Sequence, residues 1–143
     1  MTVIFSKKCE LGLQAVLFLS TQPNDQLFNA SQISKSLKVP KEFVSKVLQA
    51  LTDSDIVASK KGKKGGFQLA KSPADIKLIE IVKAIDGLDI FNSCVLGFPG
   101  CSSLEPCPMH EKWGKLREEA YKMLSTESLE ELKEKTISKL TKI

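Results

Sequence analysis

Between two short apolar runs, Ile56-Val57-Ala58-Ser59 and Phe67-Gln68-Leu69-Ala70, the chain carries Lys60-Lys61-Gly62-Lys63-Lys64-Gly65-Gly66. Glycines allow a tight turn, so this segment is expected to be a β-hairpin whose tip presents lysines to solvent. Two helical patterns precede it. Ile33 and Leu37, four apart, mark a short helix near residues 31–37, with Asn29 or Ser31 as its N-cap. Lys38-Val39 reads as a tight link. Pro40 suits the first turn of a second helix, over 40–54, because its missing N–H has no helical partner there. That helix is expected to bury Phe43, Val44, Val47, Leu48 and Leu51, and to leave Lys41, Glu42, Ser45, Lys46 and Gln49 outside. Helix, tight turn, helix and basic hairpin is the order of a winged helix-turn-helix. The expected fold class is mainly α, with a small β-hairpin wing.

The remaining segments fit around that unit. A first helix is expected over 7–20, with Cys9, Leu13, Val16, Leu17 and Ser20 on one face, before the break at Pro23-Asn24-Asp25. Pro73-Ala74-Asp75 opens another helix, with Ile76, Ile79, Val82, Ala84 and Ile85 as its apolar side and Gly87 as its end. Glycines and prolines then make 88–108 a loop. A long helix is expected over 108–124, with Met109, Trp113, Leu116, Ala120 and Leu124 recurring at helical spacing. Leu129 and Leu132 begin a short terminal helix, and residues 138–143 are expected to fray. The organisation expected is therefore a winged-helix unit over 1–87, a cysteine-rich loop over 88–108, and a long helix with a tail over 109–143.

Charge is unevenly placed. The chain has a net charge of +4, yet residues 31–77 alone carry ten lysines against four acids, a net of +6. Such a concentration suits a polyanion. Lys46 suits guanine acceptors or phosphate, Gln49 suits adenine, and Glu42 can accept from cytosine or repel phosphate. Pro40 stands at the start of the same face, and Lys60, Lys61, Lys63 and Lys64 are expected to meet backbone phosphates of double-stranded DNA. No window approaches the ~20 apolar residues of a membrane span. The N-terminus has no signal-peptide pattern, so a cytoplasmic protein is expected. Catalysis is not expected: no phosphate-binding loop is recognisable, no paired carboxylates flank a pocket-like motif, and the lone His110 has no evident nucleophile partner.

Of four cysteines, Cys94, Cys101 and Cys107 fall within 14 residues, and His110 follows the last after two residues. In a reducing compartment such a cluster points to metal or redox chemistry before structural disulfides. Zinc sites usually draw ligands from CxxC pairs, and none is present here. Three widely spaced thiolates on a glycine- and proline-rich loop suit an iron–sulfur cluster, of two-iron or four-iron type. The fourth ligand is open between His110 and Cys9, the latter also readable as a core residue of the first helix. A metal-free thiol switch, through a Cys101–Cys107 or intersubunit disulfide, is the alternative.

Several of these segments together resemble the Rrf2 family of transcription regulators, with its IscR-like and NsrR-like members. The likeness rests on Ser6-Lys7, Ile33-Ser34, the wing Lys61-Gly62-Lys63-Lys64-Gly65-Gly66-Phe67-Gln68-Leu69, the three-cysteine loop, and Cys107-Pro108-Met109-His110-Glu111-Lys112-Trp113. It covers nearly the whole chain. Two departures are visible: the first cysteine gap is one residue longer than is common, and Lys64 stands where a glycine is frequent. The resemblance implies a homodimer in which the long helix crosses its partner through Trp113, Leu116, Ala120 and Leu124. It also implies a palindromic operator, with the wing in the minor groove and Lys61 in place of a wing arginine. IscR-like members use a histidine just beyond the third cysteine, which His110 matches. NsrR-like members use an acidic residue of the other subunit's first helix, at or beside Cys9. The implied function is transcriptional control, such as repression, through sensing of iron–sulfur status, redox state or nitric oxide.

Overall fold

A computed structural model describes residues 4–23, 25–102 and 104–140. Helix α1 (Lys7–Ser20) starts where Ser6 caps it, the hydroxyl accepting from the Cys9 N–H at 3.0 Å. Helix α2 (Ala30–Leu37) has a reciprocal cap: Asn29 and Gln32 each accept from the other's backbone N–H at 2.8 Å. Lys38 adopts the left-handed conformation (φ 57°) and turns the chain into α3 (Lys41–Asp53), with Pro40 just outside the helix as its cap. Strands β1 (Val57–Lys60) and β2 (Gly66–Leu69) pair antiparallel, Lys60 opposite Gly66 and Val57 opposite Leu69. Helix α4 (Leu78–Ile85), the long α5 (His110–Thr126) and α6 (Leu129–Leu140) complete the fold.

The core lies where α1 meets α3, with Ala15, Val16, Ile33, Val44, Val47, Leu48, Leu51 and Ile56 at its centre. The wing is fastened to that core by backbone pairing. Phe28 and Phe67 exchange hydrogen bonds of 3.0 and 2.8 Å, and the Phe28 ring meets Phe18 edge-to-face at 5.4 Å. Gly66 makes the close approach feasible. Its φ is +155°, and a Cβ there would lie 2.8 Å from the Phe28 carbonyl.

Two expectations about burial and two about helix extent need correction. Phe43 is not buried: it is 46% exposed, because the inward arc of α3 is filled by Val44, Val47, Leu48 and Leu51. Ile76 does not belong to a helix opened by Pro73. Pro73–Asp75 is a separate 3-10 turn, and Ile76 is extended. The reason is a short bridge with the α5–α6 junction, in which the Leu129 N–H donates to the Ile76 carbonyl and the Leu78 N–H to Glu127, both at 3.1 Å. Along α1, Leu13 and Leu17 are only half-buried, while Leu11, Gly12, Ala15, Phe18 and Leu19 are buried with Cys9 and Val16. Residues 138–140 continue α6 rather than fray, and residues 141–143 lie outside the described residues.

Through the same bridge the C-terminal segment returns to the core. Helix α6 packs on α1, and Leu129 is fully buried there. Replacing Leu129 by alanine is expected to lower the unfolding free energy by about 2–5 kcal/mol, the usual range for a cavity of that size. Leu104→Ala, at a side chain 91% exposed, is expected to change it by no more than about 0.5 kcal/mol. Urea unfolding followed by circular dichroism checks both, and equal effects would contradict the assigned core.

Candidate metal centre and nucleic-acid interface

The loop that follows α4 begins with a hydrogen-bonded joint. Asp86 ends α4, and its carboxylate accepts from the Ser6 N–H at 2.9 Å and from the Ser6 hydroxyl. Gly87 then reverses the chain at φ +76°, its N–H donating to the Val82 carbonyl at 3.1 Å. After a 3-10 turn at Asp89–Phe91, the loop is gripped by α5. The ring of Phe91 meets Tyr121 edge-to-face at 5.3 Å. The Ser93 carbonyl accepts from the Trp113 indole N–H at 2.9 Å and from Arg117 Nη1 at 3.3 Å. At the other end, the Cys107 carbonyl accepts from the His110 N–H at 3.1 Å as α5 begins.

These anchors bring the three loop cysteines together. Their sulfurs all lie within 4.8 Å of one another, with Cys94 and Cys107 Sγ at 3.4 Å. His110 Nδ1 stands 3.4 Å from Cys101 Sγ. Four metal–sulfur bonds of about 2.3 Å arranged tetrahedrally put neighbouring sulfurs about 3.8 Å apart, so three thiolates at these separations can share one metal ion. Three soft sulfur donors with an imidazole beside them fit iron, zinc or an iron–sulfur cluster. Cys9 is not among them. It is fully buried in α1. Burial pushes its thiol up to about 12, aided by the negative charge of Asp86 and a hydrogen bond to it.

The loop thiols differ from Cys9 and from one another. Desolvation opposes ionisation of Cys94, but hydrogen bonds from the Phe98 backbone, the Cys107 thiol, the Leu96 backbone and the Cys101 thiol outweigh it and lower the group to about 7. Cys107 moves the opposite way, raised by desolvation and by its hydrogen bond with Cys94. Cys94 is thus the group of the pair that ionises first.

The residues expected at a nucleic-acid surface lie on α3 and the wing. Pro40, Lys41, Glu42, Ser45, Lys46 and Gln49 are exposed, as are Lys60, Lys61, Lys63 and Lys64. Gln49 donates to Asp53 at 3.0 Å, one turn further along α3. Phe43 joins this neighbourhood: with Val39, Pro40, Leu11 and the stems of Lys7 and Gln14 it lines a cavity of about 160 Å³. Pattern reading misses it because an aromatic residue beside Val44 reads as core. Along α5 the expected stripe divides. Leu116 is 59% exposed, Trp113 and Ala120 are half-buried, and Leu124 is buried within the chain. Met123, also exposed, was outside that stripe.

Comparison with known proteins agrees with this architecture. The Rrf2 family model, described as an iron-dependent transcriptional regulator, matches residues 5–135. An HTH-type transcriptional regulator of Aquifex aeolicus is 33% identical over 117 residues, covering 80% of this chain and 81% of that one. The HTH-type transcriptional regulator NsrR of Shouchella clausii is 29% identical over 100 residues, covering 64% and 66%. Among solved structures, CymR (YrzC), the global cysteine regulator of B. subtilis, superposes with a TM-score of 0.77 at 19% identity, covering 93% of this chain and 98% of that one. Among the described residues, no helix is long and apolar enough to cross a membrane.

The thiol environments have a measurable consequence. In metal-free protein, alkylation of Cys94 by iodoacetamide is expected to rise with pH around a midpoint near 7, because the thiolate is the nucleophile. Cys9 is expected to stay unmodified until the chain unfolds, since its folded-state thiol ionises only near 12. Peptide mass spectrometry across pH 5–10 reads both, and a Cys94 midpoint at or above the ordinary 9.0 would contradict the hydrogen-bonded geometry.

Proposed function

The chain belongs to the Rrf2 family of transcription regulators, and from that membership we propose that it is a homodimeric regulator whose hold on a palindromic operator follows the state of an iron–sulfur cluster on Cys94, Cys101 and Cys107. The family and the relatives are transcription regulators, not enzymes. The observation that carries the proposal is the meeting of three thiols within 4.8 Å on the loop that joins the winged-helix core to α5. His110 supplies the fourth ligand in this reading, because its Nδ1 is beside Cys101 whereas Cys9 is enclosed in the core.

Bound thiolates tie residues 94, 101 and 107 into one unit at the start of α5. Unbound, the three residues are joined through thiol hydrogen bonds, Cys94 with Cys107 and Cys101 with His110, which hold less firmly than metal–thiolate bonds. Helix α5 thereby receives a different load in the two states, and its exposed Leu116 and Met123 supply the apolar surface on which a second copy packs. The spacing of the two recognition helices then depends on the loop. On each subunit Lys41, Glu42, Ser45, Lys46 and Gln49, entered through Pro40, face the major groove, and Lys60, Lys61, Lys63 and Lys64 meet phosphates. A cluster, when bound, would supply redox-active iron, and its loss would be reversed only when iron is supplied.

Anaerobic reconstitution tests this. The native chain is expected to take up iron and inorganic sulfide with visible absorption, and the Cys94→Ala/Cys101→Ala/Cys107→Ala variant to take up neither. Both are then titrated with duplexes selected from a random-sequence pool. A colourless, iron-free native protein that binds those duplexes as the variant does would overturn the proposal. Lys61→Ala/Lys63→Ala is expected to weaken binding to all duplexes alike and to flatten the dependence of log K on log salt by about one per lysine.

A further inference from the structure

We propose that Cys94 and Cys107 are a preorganised dithiol that closes to an intrachain disulfide in the metal-free protein, with Cys101 left beside His110. The proposal concerns the reduced, metal-free chain; only its consequence for metal loading rests on the function proposed above.

The argument is one of anchorage. The two sulfurs stand 3.4 Å apart, although twelve residues separate them in sequence. Each is held to α5 by backbone that does not depend on metal. On the Cys94 side, Trp113 and Arg117 both donate to the carbonyl of the preceding residue, Ser93, whose hydroxyl donates to the Asp89 carbonyl at 2.7 Å. On the Cys107 side, the peptide carbonyl caps the first turn of α5 through His110 N–H. Cys101 is placed differently. It sits in the middle of an arc that turns through Gly97 (φ +80°) and Gly100 (φ +72°) and exposes Val95, Leu96 and Phe98 by about half. Its sulfur faces His110 Nδ1. Two thiols share one scaffold and the third rides on an arm.

Oxidation by a peroxide then has a preferred course. The sulfur of one of the pair attacks the O–O bond and becomes a sulfenic acid, releasing one water. The second sulfur attacks that sulfenic sulfur, the S–O bond breaks, and a second water leaves. Two thiols and one hydrogen peroxide give one disulfide and two waters; the thiols lose two electrons and the peroxide gains them. The sulfurs need only close from 3.4 Å to a bond of about 2.05 Å. Two of three sulfur donors are thereby withdrawn, and the site accepts metal again only after a two-electron reduction. A chain merely short of iron keeps its dithiol and can reload. An oxidised one cannot.

The test uses the full chain, stripped of metal by a chelator without oxygen, treated with one equivalent of hydrogen peroxide, blocked with N-ethylmaleimide and digested without reductant. Mass spectrometry is expected to find the Cys94–Cys107 linkage predominant and Cys101 alkylated. Cys101→Ser is expected to close at the native rate. Trp113→Phe keeps a ring but loses the indole N–H, and is expected to close severalfold more slowly at an unchanged melting temperature; Arg117→Met serves if that variant does not fold. Predominance of a Cys101 linkage, a statistical mixture of pairings, or loss of closure in Cys101→Ser would overturn the proposal. Iron uptake is measured separately on the same preparation. Failure to bind iron with the linkage intact counts against the metal reading alone, and scrambled pairing in an iron-binding chain counts against this one alone.

Discussion

The architecture depends on a side chain that is missing. A glycine inside a helix costs about 1 kcal/mol against alanine, yet α1 carries Gly12 at mid-length. A Cβ there would collide with Cδ1 of Ile85 and sit 3.4 Å from Cγ1 of Val47. Ile85 is the last residue of α4 and Val47 the centre of α3, so one gap in α1 seats both helices. The joint continues into Asp86, bound to Ser6, and from there into the cysteine loop. The root of the loop and the recognition helix therefore rest on the same point of α1. Close-packed interiors transmit displacements rather than absorb them, which gives the two a direct mechanical relation.

The wing obeys a similar constraint. Exposed lysines are ordinarily mobile, and their direction is set by the backbone beneath them. Here that backbone is a two-stranded ribbon whose second strand is bonded on both edges, to β1 and to Phe28. Gly65 and Gly66 are required because side chains at those places would strike the Lys60 carbonyl and the Phe28 carbonyl. The basic tip is thus held in a fixed relation to α2 and α3, as a surface that must meet a duplex in one register requires.

Much of this was legible in the residues. The spans of α1 and α3, a cap at Asn29 or Ser31 and the hairpin follow from local chemistry, and local chemistry needs no knowledge of distant contacts; the structure selects Asn29. The failures are equally specific. Ile76 reads as helical from its spacing to Ile79, but its carbonyl is claimed by Leu129, fifty-odd residues away, and a pattern cannot register that bond. Phe43 reads as core because apolar residues crowd that turn, and only the placement of α1 shows that the inward arc was already full. Leu124 continues the α5 stripe by count, yet it is turned into the chain's own interior as α5 packs on α4. The cysteines announced a shared site by composition. Their arrangement, with Cys94 against Cys107 and Cys101 against His110, depends on Trp113 and Arg117 gripping Ser93 from α5, a contact between segments twenty residues apart.

That contact also clarifies why α5 is built with two unlike sides. Trp113, Arg117 and Tyr121 stand four residues apart and face the loop, holding Ser93 and Phe91. Leu116 and Met123, seven residues apart, are exposed by 59% and 56%, and Met109, seven residues before Leu116 at the N-cap, by 39%. An apolar residue every seventh position keeps to one side of a helix and makes a seam for another helix. In the proposed dimer the second copy covers that seam, so each α5 holds its own thiols on one side and its counterpart on the other. A rod clasped in this way cannot shift at the loop without altering the crossing. The crossing in turn sets how far apart two winged units stand, which decides whether both reach successive grooves of one duplex.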